Sequence, residues 1–242
     1  VAERSPTPRE LTRRVAEAHA RLPALLDGFD AGDAPMAAAS ALPGWTRGHV
    51  VRHLADNARA FERQARYALS GRLVAVYDGG PQGRDRSIEQ GAGRPPAQLR
   101  ADLESAQHDL ERVWSGLTAE DWHRPVRFRD AAVYDTALAR WREAEIHAVD
   151  LAAGYRPGDW PLQFALHALD FLSARTPEGT RLTLRATDTG MCRRTGAGAP
   201  VEVAGTVRDL AAWMAGRAPD GPLATTAARL PELAPWPADP AG

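Results

Sequence analysis

The chain has 242 residues, 44% of them hydrophobic, enough for a sizeable core in one large domain or two modest ones. A formal net charge of −1 argues against a general nucleic-acid binder, which would carry a basic excess or stripe. No run approaches the roughly 18 apolar residues of a membrane span. A single cysteine, Cys192, excludes an internal disulfide framework and cysteine-based zinc sites. All 30 basic residues are arginine, so Schiff-base chemistry on lysine is excluded, and the richness in Ala, Gly and Pro points to a GC-rich genome. The opening VAERSPTPRE lacks the apolar stretch of a signal peptide, so the expected location is cytoplasmic.

Thr7-Pro8-Arg9-Glu10 is a capping box with proline at the first helical position, and it predicts a helix to about Leu26. A second helix is predicted after Thr46 as N-cap, closed by Gly71. Its stripe is Val51, Leu54, Ala55, Ala58, Ala65 and Ala68. The following VAVYDGGPQGRDRSIEQGAGRPP is dense in Gly and Pro and reads as a long, functional loop. A third helix starts near Pro96, with Leu99, Leu103, Ala106, Leu110, Val113 and Leu117 as its stripe, and a fourth runs from about Asp135 to Gly154. These elements predict a four-helix bundle over residues 1–156.

The pattern changes after GYRPGDWP. A helix from Asp159 or Pro161 to about Ala174 is followed by two alternating segments, Leu182-Leu184-Ala186 and Val201-Val203, that read as half-buried strands. Thr206 and Asp209 cap VRDLAAWMA, which Gly216 closes, and the Pro-rich tail reads as irregular. Residues 157–242 therefore form a smaller α+β unit, and the chain as a whole is mainly α, with no internal repeat.

Glu143 and His147 lie four residues apart in a helix, on one face and one turn apart. A third donor from another helix, His53 in HVVRHLADN, completes two imidazoles and one carboxylate. That set suits a catalytic zinc, which takes three protein ligands and keeps one position open; nickel or iron would also bind it. The bland reading of each residue is a packed or surface side chain, with the charges of RWREAEIH forming a solvated face. His49, one turn before His53, is either a further ligand or a more exposed first-turn residue. Asp150, three residues after His147, either orients that imidazole or sits at the surface. Cys192 reads as inert.

LPGWTRGHVVRHLADN and REAEIHAVDLAAGY resemble the two signature helices of the mycothiol-dependent maleylpyruvate isomerases, within the wider DinB-like metal-binding superfamily. VAGTVRDLAAWMAGRAPDG is similar to the family's C-terminal domain and its Gly-Arg ending. The resemblance implies an N-terminal DinB-like bundle with zinc held by His53, Glu143 and His147, and a pocket between bundle and C-terminal domain. It also implies that Arg217 faces that pocket in a catalytic role, and that Arg84 and Asn57 bind the thiol cosubstrate. The bland reading of Arg217 is a charge complementing a helix C-terminus. The long loop and MCRRTGAGAP are matched least, and these regions bear on substrate choice.

The implied reaction uses mycothiol held on zinc as thiolate, since coordination removes a thiol's proton. The thiolate adds to the cis double bond of maleylpyruvate, the resulting single bond rotates, and thiolate leaves to give fumarylpyruvate. Arginine would hold the carboxylates in bidentate fashion. Three alternatives keep the metal: a mycothiol S-transferase that consumes thiol, a zinc hydrolase active without thiol, and a non-enzymatic module whose closed metal uses His49 as fourth ligand. No Gly-x-Ser-x-Gly elbow and no dinucleotide fingerprint occurs. Partners are therefore expected to be small molecules, with neither nucleic acid nor membrane.

Overall fold

The computed structural model describes residues 5–27 and 34–237. The chain divides into two compact units, Val1–Gly154 with Asp239–Gly242, and Tyr155–Ala238. The fold is mainly α, with a small C-terminal α+β part.

The first unit contains α1 (Pro8–Leu26), a short α2 (Ala34–Ala37), α3 (Arg47–Leu69), α4 (Gly80–Gly91), α5 (Pro96–Ser115) and α6 (Val133–Asp150). Four of these close a ring of packed neighbours: α3 on α5, α5 on α1, α1 on α6, and α6 on α3. The predicted capping box of α1 is present: Thr7 Oγ1 accepts the Glu10 N–H, and Glu10 accepts the Thr7 N–H at 2.7 Å. Each residue of the α3 stripe is buried. The α5 stripe differs at its end: Trp114 is buried, while Val113 is half-buried and Leu117 lies beyond the helix.

The expected loop over residues 74–96 is instead mostly helix. Gly79 takes the left-handed conformation (φ 75°) at the N-cap, Pro81 follows in the first turn, and α4 runs to Gly91 with Ile88 buried. Close approach explains part of the Gly content: a Cβ on Gly83 would stand 1.8 Å from the Asp78 carbonyl oxygen. The fourth bundle helix starts two residues earlier than expected and ends at Asp150. Ala152, with φ 51°, and Gly154, with φ 92°, both take positive φ just after the helix.

In the second unit, α7 (Leu162–Leu172) precedes a sheet of β1 (Thr180–Ala186), β2 (Cys192–Gly196), β3 (Ala199–Gly205) and the short β4 (Ala224–Thr225). The order is β2-β1-β3-β4; β1 is parallel to β3, and the other pairs are antiparallel. Leu182, Leu184 and Ala186 bury one face of β1, and α8 (Val207–Met214) packs on β1 and β3. Thr206 caps α8 by accepting the Asp209 N–H at 3.1 Å. Residues 231–237 of the Pro-rich tail have no regular structure; the rest of it lies outside the described residues.

Candidate metal centre

Three groups converge where α3 meets α6. Arg47, the first residue of α3, ties the two together by donating from Nε to the Leu151 carbonyl at 2.9 Å and from Nη2 to the Ala152 carbonyl at 3.0 Å. It thereby satisfies carbonyls at the end of α6 that the helix leaves unpaired. One and a half turns further along α3, His53 faces Glu143 and His147 of α6. Glu143 Oε2 accepts from His53 Nε2 at 2.8 Å and from His147 Nε2 at 3.2 Å, and the two rings meet edge to face at 4.8 Å.

The potential ligand atoms of His53, Glu143 and His147 all lie within 4.8 Å of one another. Asp150, 0% exposed, accepts from His147 Nδ1 at 2.8 Å. That bond keeps a proton on Nδ1 and turns the Nε2 lone pair toward the cluster when the ring is neutral. Asp150 is thus a buried partner of the imidazole, and the surface reading of it does not apply. The solvated-face reading of RWREAEIH fails as well: Arg140, Arg142 and Glu145 are all buried, and Glu145 accepts from Arg21 at 2.9 Å.

The charges fit a cation. Burial opposes ionisation of Glu143, but hydrogen bonds from His147 and His53 outweigh it and hold the carboxyl well below its usual range. Burial also opposes protonation of His147, yet its bonds to Asp150 and Glu143 raise it to about 9. Burial lowers His53, against the pull of Glu143. Protons therefore bridge the carboxylate to the imidazoles here. Two carboxylates and two neutral imidazoles carry a charge of −2, which a divalent ion replacing those protons would neutralise. The donor set and its buried second carboxylate fit zinc.

His49 is otherwise engaged. Its Nδ1 accepts from the Thr46 N–H at 3.2 Å and lies 2.7 Å from Thr46 Oγ1, taking the part of Glu or Gln in a capping box. Its Nε2 faces Glu89 at 3.5 Å. It stands outside the cluster among the described residues.

Arg84, on α4, places Nη2 3.4 Å from His53 Nδ1 and pairs with Asp85 at 2.8 Å. Asn57 is buried one turn after His53, and its Oδ1 accepts from Arg140 Nη1 at 2.9 Å. Arg217 belongs to the second unit, just past α8, where its Nη1 donates to the Ala215 carbonyl at 2.7 Å. Cys192 is exposed at the start of β2.

Sequence reasoning passed over three residues here. Trp45 stands edge-on to His53 at 5.7 Å and walls that side of the cluster. Tyr77 is half-buried and lines the same cavity as Arg84. Arg140 is wholly buried, and burial pulls its pKa down to about 10. Only Arg140 carried a usable signal: it lies three residues before Glu143, on the same face of α6.

Comparison with known proteins places this chain in a family. Residues 5–152 match the family model described as the mycothiol maleylpyruvate isomerase N-terminal domain. A crystal structure described as the mycothiol-dependent maleylpyruvate isomerase superposes with a TM-score of 0.84 at 26% identity, covering 95% of this chain and 97% of that one. A histidine-to-alanine mutant described in the same words matches with the same values. No curated protein matches. The chain belongs to the mycothiol maleylpyruvate isomerase family.

Proposed function

We propose that the chain isomerises maleylpyruvate to fumarylpyruvate, with mycothiol as thiol cosubstrate and a divalent metal, zinc, held by His53, Glu143 and His147. The observation that carries the reading is the His53–Glu143–His147 cluster, with His53 buried and the other two half-buried, backed by Asp150, in a chain alike over nearly its whole length to an enzyme of that description. When bound, the metal would keep the thiol as its thiolate, the form that adds to a double bond.

The residues of the chain divide the remaining work. Asp150 fixes the His147 tautomer, so that Nε2 is a lone-pair donor whenever the ring is neutral. Trp45 excludes water from one side of His53. Arg84 puts a fixed positive charge beside His53, suited to an anionic sulfur or carboxylate. Asn57 is assigned to the thiol side, with its Oδ1 held in the core by Arg140. Arg217 is assigned to a carboxylate of the substrate, where its planar fork discriminates for two oxygens. Return of the thiolate regenerates free thiol, so the reaction is redox-neutral and leaves the cosubstrate unconsumed. Small-molecule partners, a cytoplasmic setting and no role for nucleic acid accompany this reading; no described helix is long and apolar enough to cross a membrane.

The test removes ligands singly. His53→Ala and His147→Ala are expected to lose bound metal, measured by elemental analysis, and isomerase activity together. Full activity in the metal-free protein would sink the assignment.

A further inference from the structure

The contacts between α3 and α6 run in opposite senses along the two helices. Arg47 reaches the carbonyls of Leu151 and Ala152, His53 meets Glu143 and His147, and Leu54 and Asn57 meet Arg140. The candidate metal ligands thus lie between two arginine bridges. The second bridge stands within the core. Arg140 Nη1 donates to the Leu54 carbonyl at 2.8 Å and to Asn57 Oδ1 at 2.9 Å. Leu54 follows His53 in sequence, Asn57 lies one turn after it, and Arg140 lies three residues before Glu143. The bridge is therefore within about one turn of the ligands on both helices.

Arg140 is 0% exposed, and none of its hydrogen-bond partners is a carboxylate. Its Nε donates to His19 Nε2 of α1 at 2.8 Å, and its Nη2 has no partner among the described residues. A guanidinium so placed is costly to bury. Packing alone would be served by an apolar side chain. What the arginine adds is alignment, the best-attested use of a buried polar group between helices. Alignment matters here, because a zinc site tolerates ligand distances only within about 0.2 Å. A slip of one residue along a helix moves a side chain by about 1.5 Å. Such a slip of α6 on α3 would part His53 from Glu143, now 2.8 Å apart.

We infer that Arg140 is a positioning residue: by bridging α6 to Leu54 and Asn57, it fixes the register at which His53 meets Glu143 and His147 around a divalent metal. The inference rests on the metal-binding reading of those three residues. Three variants separate this role from general stability. Arg140→Met keeps an apolar stem and removes the bridge. Arg140→Lys keeps a cationic donor for the two acceptors on α3. His19→Phe removes the partner on α1 and leaves both bonds to α3, so it is the control for a weakened core.

The experiment strips the full chain of metal and titrates it with Co(II) against a competing chelator, with no thiol present, following the cobalt d–d absorption. Arg140→Met is expected to bind Co(II) about tenfold more weakly, with d–d bands changed in position and intensity. Arg140→Lys should recover affinity to within about threefold of the unaltered chain. His19→Phe should melt lower yet bind Co(II) within about twofold of the unaltered chain. Where Arg140→Met does not fold, Asn57→Ala carries the test: it leaves the bridge only the Leu54 carbonyl, and a loss of about threefold is expected. Unchanged affinity and spectrum in Arg140→Met, or in Asn57→Ala where the first does not fold, would overturn the inference. An equal loss in His19→Phe, or no recovery in Arg140→Lys, would overturn it too. Absence of Co(II) binding by the unaltered chain overturns the metal reading and this inference with it. Co(II) binding without isomerisation removes only the proposed reaction and leaves Arg140 in its role.

Discussion

His19 shows what burying a titratable group in this bundle costs. It has no contact with solvent to speak of, and its neighbours disagree: Arg140 disfavours a second charge while Glu111 favours it. Burial first, and Arg140 second, lower its pKa from the ordinary 6.5 to about 4. The unfolded chain therefore takes up a proton between about pH 6.5 and pH 4 that the folded chain refuses. The resulting stability is present in full above pH 6.5 and is lost as pH falls toward 4, by up to about 3 kcal/mol. Urea unfolding at pH 7 and pH 5 should show this loss in the unaltered protein and a smaller one in His19→Gln; equal losses would contradict the account. At this scale the spacing of Glu143 and His147 set both on one face of a helix, where the structure has them near His53, but the same spacing also fitted a packed or surface pair. The sequence was silent on Tyr77, since a lone aromatic residue in a stretch read as a loop gives no sign of the cavity it lines. Arg140 read as surface because arginine is seldom wholly buried without a carboxylate partner.

At the scale of elements, α4 is the instructive case. Its Gly and Pro content argues for a loop, and its only buried residues are Ile88 and Gly91, too few to show a periodic stripe. The helix is held largely by side chains of α3: Arg52 Nη2 donates to Ser87 Oγ at 2.9 Å, and Ser87 donates to Asp56 at 2.8 Å. Backbone approach adds to this. A Cβ on Gly48, in the first turn of α3, would lie 2.2 Å from the Ala92 carbonyl oxygen at the end of α4. Gly48→Ala must therefore push the two elements apart and is expected to cost about 1–3 kcal/mol. Gly93→Ala is the control, since its Cβ meets nothing within 4 Å; a shift within about 0.5 kcal/mol is expected there. Thermal melts of both variants check the pair, and equal effects would contradict the close-approach argument. The capped helices α1 and α3 were legible to the residue, because a side chain that satisfies a backbone N–H is a local event. The end of α6 was not: Ala152 adopts the left-handed conformation that glycine usually signals.

For the whole molecule, the bundle brings His53 of α3 beside Glu143 and His147 of α6, and Arg47 at one end of α3 and Arg140 within the core tie the same two helices together. The α+β unit was legible from strand alternation at Leu182, Leu184 and Ala186, where a half-buried sheet face imposes period two. Its sheet order was not, because β1 pairs in parallel directly with β3 while β2, which follows β1 in sequence, takes its other edge, a choice with no local signature. Substrate identity stands on chemistry, and chemistry is where the central claim meets its most direct test. That test is one assay: maleylpyruvate conversion by protein of known metal content, with and without mycothiol, following free thiol alongside product. The account predicts stoichiometric zinc, conversion only when mycothiol is present, and free thiol undiminished at the end. Zinc-loaded protein that consumes thiol, or that turns over without it, would contradict the isomerase reading.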